Sequence, residues 1–326
     1  MNKISTFNRR SEFDVTNQIR VTEPASVANH VIRLYIDTYG DSEMVSIIAR
    51  AFSDSANLFR GEYPGYRACD TLYHDMQHTL DVTLAMARLI NGHERQHPQD
   101  TLGRTRFTLG VLIALFHDSG YICRNDDYTA INGAVYTLTH VSRSGEFLRK
   151  YLPKVGLGEH CDLAATLVHF SGYELHPDKL EVNNPKNRVL GHLLGTADLI
   201  SQMSDRCYIE KCRDRLYQEF VTCGLAGRPS PDSHESSLFA SPKDLLIKTP
   251  WFYRNSVIKR LDRSFERAFD YANIHFDGAN PYMDCISKNI EHLDGLNEHG
   301  DYSLLNRKLP EKIETSVFSS LQQATG

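Results

Sequence analysis

Apolar residues recur at three- and four-residue steps through most of this chain, and that period constrains its fold more than any other feature. Val27, Val31, Leu34 and Tyr35 fall on one face of a 3.6-residue turn, as do Val45, Ile48, Ala51 and Phe52, and again Leu80, Leu84, Ala87 and Ile90. Strand-like alternation is scarce, so the expected fold class is all-α. The spacing predicts a helix over 75–91 that stops at the Asn91-Gly92 turn signal. The almost wholly apolar run 109–117 predicts a helix buried on all sides. Further helices are expected over 130–151, 161–170, 188–202 and 205–223, then from about 251 to 272 and over 282–296.

These elements divide the chain into an aperiodic N-terminal arm (1–24), a helical domain (25–226), a Ser-, Pro- and Gly-rich flexible loop (227–242), C-terminal helices packing on the same domain (243–305) and a tail (306–326). A division into two domains near 230 is the alternative. No apolar run nears the ~20 residues that cross a bilayer, and no apolar segment follows the first charges as a secretory signal would. Seven scattered cysteines form no C-x-x-C pair, which fits reduced thiols and a cytoplasmic location. A net charge of −5 argues against extended nucleic acid as a partner.

Packing does not account for one constellation. Tyr73-His74-Asp75-Met76-Gln77-His78-Thr79-Leu80-Asp81-Val82 places His74 and His78 four apart, where both rings share a helix face. His117-Asp118 closes the most apolar helix, where two ionisable groups need a partner because burying them unpaired costs several kcal/mol. Asp198 interrupts an apolar helical run. Imidazole nitrogens and carboxylates together suit Zn, Mn, Fe or Mg. Adjacent residues can address one ion from a helix end, and Asp118 can then bridge to a second.

A His, then His-Asp, then a distant Asp resembles the HD-domain metal phosphohydrolase superfamily over about 70–225. The string Tyr73-His74-x-x-x-His78-x-x-Asp81-Val82 is similar to the opening of its cyclic-nucleotide phosphodiesterase branch and of bacterial HD hydrolases. The resemblance implies an HD-domain-like helical bundle in which His78, His117, Asp118 and Asp198 hold a first metal ion. It further implies that Asp118 bridges to a second ion and that His74 protonates the leaving oxygen. His140 and His169, between Asp118 and Asp198, match the histidines that hold the second ion in many members, which gives two divalent ions on six protein ligands. Leu216-Tyr217-Gln218-Glu219-Phe220 faintly echoes the segment after the last metal aspartate. The substrate implied is a small phosphoester, a nucleotide or cyclic nucleotide, hydrolysed as a phosphodiester.

The continuation Ser119-Gly120-Tyr121-Ile122 departs from the phosphodiesterases, which carry a further His and an Asn there. A six-ligand site also resembles that of di-iron HD oxygenases, and a non-catalytic nucleotide-binding module is the other alternative. Arg143 is a candidate for bidentate contact with phosphate. Asp81 is expected to orient a ligand rather than bind metal. His160, His176 and His192 are expected to be structural or exposed. Trp251, Phe252 and Tyr253 offer either a base-stacking surface or core. Homo-oligomerisation is left open.

Overall fold

The computed structural model describes residues 9–227 and 237–311. Among them every regular element is helical, and β structure is confined to isolated bridges such as Phe13 with Arg20. The fold is all-α. Most of the expected loop at 227–242 and of the tail lies outside the described residues.

The centre is α3 (Met76–Gln96), almost entirely buried and packed against α1 (Pro24–Tyr39), α4 (Arg104–Phe116) and α7 (Pro185–Ser204). Helix α2 (Glu43–Arg60) covers α1 and α4, while α5 (His140–Tyr151) and α6 (Cys161–Leu167) pair with each other beside them. Every residue of α4 from Phe107 to Phe116 is buried, as its unbroken apolarity predicts. The α3, α4 and α7 axes come close at Gly110, where a Cβ would lie 2.7 Å from Met86 Cε and 2.9 Å from Leu190 Cδ1. The C-terminal part runs through α8 (Tyr208–Lys211), α9 (Tyr217–Thr222), α10 (Pro242–Phe252), α11 (Tyr271–His275) and α12 (Pro281–His299), which packs back on α7. No helix among the described residues is long and apolar enough to cross a membrane.

Several boundaries differ from the periodicity. Helix α3 does not stop at Asn91-Gly92 but continues to Gln96. Gly92 is there for contact: a Cβ would sit 1.9 Å from the Tyr271 carbonyl oxygen, so only glycine lets α11 lie against α3. Gly92→Ala is expected to cost about 1–3 kcal/mol through overpacking, read as a lowered midpoint in denaturant melts. The helix expected over 130–151 is α only from His140; a 3₁₀ turn at Gly133–Tyr136 precedes it. The segment expected as one helix over 205–223 is α8 and α9 joined by a π turn at Cys212–Leu216. Helix resumes at Pro242 rather than 251, because Ser241 caps it by accepting from the Asp244 amide. The expected helix to 272 breaks at Glu266 and Arg267, both at positive φ.

The described part of the N-terminal arm folds onto the bundle. Val15 and Val21 are buried, and Asp14 pairs with Arg88 of α3 at 2.6 Å, both side chains 2% exposed. Arg88 also donates to the Tyr282 hydroxyl of α12 at 3.0 Å, so one guanidinium joins arm, centre and C-terminal helix. Burial works to raise the Asp14 carboxyl, but Arg88 and the Ile19 amide outweigh it and hold it at about 2. A depressed carboxyl stabilises above its unfolded value, and that contribution is lost as pH falls from 3.8 toward about 2. Asp14→Ala, which strands Arg88 in the interior, is expected to cost about 3–5 kcal/mol and to remove that acid-limb dependence in urea melts.

Candidate active site

The site assembles at the ends of helices. Asp75 caps α3 by accepting the His78 amide at 3.0 Å, which fixes His78 in the first turn. At the far end of α4 the chain leaves helical geometry at Asp118, with φ −105° and ψ 8°. That bend lets neighbouring His117 and Asp118 face the same point: His117 Nε2 lies 3.2 Å from Asp118 Oδ2. His78 Nε2 reaches the same oxygen at 3.3 Å and Asp198 Oδ1 at 3.4 Å, and His117 Nε2 lies 3.9 Å from Asp198 Oδ1. His140, at the start of α5, approaches the other oxygen of Asp118, Oδ1, at 3.7 Å.

The histidine tautomers are set from behind. His117 donates from Nδ1 to the Ala114 carbonyl at 2.8 Å, and His140 from Nδ1 to the Thr137 carbonyl at 2.7 Å. Each Nε2 is thereby left to face Asp118, the usual way a protein orients a metal-binding imidazole. His117 Nε2 and Asp118 Oδ2 are buried with no hydrogen-bond partner. Orphaned polar atoms at this spacing are what a cation with ligand bonds of ~2.0–2.2 Å would join. His78, His117 and Asp118 form a buried group able to hold a metal ion.

The electrostatics agree. Burial works to raise the Asp118 carboxyl, but His117 and His78 outweigh it and hold it well below the usual range. Burial works to lower His78, yet the adjacent Asp118 and Asp198 carboxylates lift it to about 10. The two carboxylates thus draw positive charge to the point a metal ion would occupy. Burial lowers His140, which favours its neutral form.

His74 stands beside this cluster, its ring 5.7 Å from that of His78. It donates from Nδ1 to Glu219 Oε2 at 2.6 Å. Glu219, on α9 and 2% exposed, also accepts the Tyr73 amide at 2.5 Å and the His74 amide at 3.3 Å. Burial works to lower His74, but the Glu219 carboxylate prevails and raises it. The Tyr121 ring packs against both His74 (4.4 Å) and His140 (4.3 Å), whose own rings lie 6.1 Å apart. Gly120 lets the start of α5 lie this close, because a Cβ there would lie 1.8 Å from the His140 carbonyl oxygen. Gly120→Ala is expected to push the start of α5 away. The expected readout is weaker metal retention on competitive chelation, with little change in helicity by circular dichroism.

The expected ligands therefore divide. His78, His117, Asp118, Asp198 and His140 converge. His169 does not join them: it lies on the 3₁₀ turn Val168–Phe170, its Nδ1 buried and without a hydrogen-bond partner. Arg143 donates to the Gly120 carbonyl at 2.7 Å and the Ile122 carbonyl at 3.4 Å and lies over the Tyr136 ring, so it braces the turn after Asp118. Asp81 sits away from the ion-facing oxygens, among Asp205, Lys211 and Arg9, where burial and Asp205 push it up to about 8. Glu219 has no role assigned by the sequence beyond the faint echo at 216–220. Where the sequence departs from the phosphodiesterase pattern, Gly120 admits the start of α5 and Tyr121 packs on His74 and His140.

A protein-family model described as Npun_R2479-like matches residues 25–289, well over half of the chain. The chain belongs to that family. The match takes in every converging residue from His74 to Glu219, while the docked arm before 25 and the residues after 289 lie outside it. No curated protein matches the chain.

Proposed function

We propose that this member of the Npun_R2479-like family is a metal-dependent phosphoester hydrolase of the HD type, acting on a nucleotide or cyclic nucleotide. The observation that carries the reading is the Glu219–His74 pair set against a buried His/Asp cluster: a proton donor with its own carboxylate, beside a cation site. Such a donor has a task in ester cleavage, where a departing alkoxide needs a proton.

Divalent ions held by His78, His117, Asp118, Asp198 and His140 would neutralise phosphoryl charge and supply a nucleophilic water at neutral pH. Asp118 offers Oδ2 to one side of the cluster and Oδ1 to His140 on the other, which suits a shared ligand between two ions. Glu219 favours the protonated form of His74 and fixes its rotation, so that Nε2–H can face a leaving oxygen. Tyr121 keeps His74 and His140 at a set separation. The cluster is more open on the side of His74 and His140, at 17% and 16% side-chain exposure, than at His117 with 2%, so substrate would enter there.

The test is a panel of cyclic mononucleotides, dinucleotides and nucleoside phosphates incubated with anaerobically purified protein, with and without added Mn, Fe, Zn or Mg. Hydrolysis of at least one phosphoester that chelator abolishes and metal restores is expected. Oxygen uptake with an organic substrate and no hydrolysis would contradict the proposal and favour the oxygenase. Tight nucleotide binding without product over hours would favour the non-catalytic module.

A further inference from the structure

A cleft of about 440 Å³ opens between the 173–178 segment and the turns from 256 to 264, with Tyr173, His176, Lys259, Arg260 and Arg263 on its walls. Its volume is that of a small-molecule site. Lys259 and Arg263 are exposed, and among the described residues neither has a carboxylate at ion-pair distance. Asp178, the carboxylate on the lip, faces His176 at 3.4 Å. Unpaired cations gathered in one concavity of a chain with net charge −5 form a local positive field that attracts anions.

Arg260 makes the site built rather than merely charged. It is 9% exposed, and Nη2 donates to the Phe170 carbonyl at 3.0 Å and to the Gly172 carbonyl. Its guanidinium lies 4.3 Å from the centre of the Tyr173 ring, and its Nε is buried without a partner. A guanidinium fixed in this way adds its charge to the field of Lys259 and Arg263 at the cleft wall. The backbone there takes a π turn at Arg260–Ser264, a local widening frequent at functional sites.

Arg260 connects the cleft to α7, the helix that carries Asp198. The Phe170 carbonyl that Arg260 caps also abuts α7 at Gly195, where a Cβ would lie 2.5 Å from it, three residues before Asp198. Asp198 is close enough for its charge to act on both Arg260 and Tyr173.

From this geometry we infer that the cleft is a second phosphate subsite, holding a phosphoryl group of the substrate remote from the ester cleaved at the metal cluster. The substrate class is then a phosphoester with a further phosphate, such as a nucleoside bisphosphate or a dinucleotide, and this part rests on the proposed hydrolase function. Tyr173 would offer its exposed ring to an adjoining base.

Calorimetric titration of the full chain, as purified, with inorganic pyrophosphate tests it against the double variant Lys259→Ala/Arg263→Ala. Binding to the metal cluster would occur in both proteins, so their difference reads the cleft. The double variant should bind at least about tenfold more weakly, the scale of one lost charge-assisted hydrogen bond. For a substrate with a second phosphate its defect should be a raised KM rather than a lowered kcat. Equal affinities, or no binding to the wild type, would overturn the subsite even if the protein hydrolyses phosphoesters. Weakened binding in the double variant from a protein with no hydrolase activity would keep the subsite and defeat the hydrolase.

Discussion

Asp118→Ala should lose bound metal and phosphoester turnover in one step. Asp118 is the residue on which the cluster converges: Oδ2 faces His78 and His117, and Oδ1 faces His140. Its side chain is 3% exposed, so water cannot replace it freely as a ligand. Without that carboxylate the histidines keep their nitrogens but lose most of the negative charge that holds a divalent ion. Charge neutralisation by a metal ion contributes several kcal/mol to such a reaction, so the expected fall in kcat/KM is on the order of 10³-fold or more. His117→Ala should behave alike. Both are read by elemental analysis beside a turnover assay, with circular dichroism to confirm the fold. Full activity in a metal-free Asp118→Ala protein would defeat the mechanism.

His74→Ala should behave differently: metal retained, rate lost by about 10²–10⁴, the contribution of a positioned general acid. Glu219→Gln keeps one oxygen for the Tyr73 and His74 amides but puts an NH2 in place of the oxygen that accepts the His74 Nδ1–H, so it removes both the negative charge and that hydrogen bond. The sign follows from the direction of the shift. Glu219 raises His74 against the effect of burial, so the protonated donor persists to higher pH, and activity falls as pH rises through that raised value. In Glu219→Gln the basic limb of the pH–kcat profile should therefore move to lower pH, with metal content unchanged. A merely structural Glu219 would lower activity without moving that limb.

What the sequence makes legible here is local. His74, His78, His117 and Asp118 are visible because their spacing and their place at helix ends depend on a few neighbouring residues, and Asp198 because a carboxylate in an apolar run has little other explanation. Glu219 is not, because its meaning lies in a 2.6 Å contact with a residue 145 positions away, across a helix interrupted by a π turn that apolar periodicity does not register. Gly92 shows the same limit from the other side. Local rules read Asn91-Gly92 as a turn, whereas the glycine admits a Tyr271 carbonyl brought there by tertiary packing. The arm at 9–22 lacks periodicity because a short segment docked through Val15, Val21 and the Asp14–Arg88 pair needs no regular repeat. His169 has the right order in the chain, but order alone does not bring a ring to the cluster, and none of the ion-pair contacts at Asp118 or Asp198 includes it.

The most direct test of the central claim is the metal content of the anaerobically purified wild-type chain beside Asp118→Ala and His140→Ala, by mass-spectrometric elemental analysis. Ions shared through Asp118 predict about two divalent equivalents in the wild type, background levels in Asp118→Ala and an intermediate value in His140→Ala. Wild-type metal content in Asp118→Ala would contradict it.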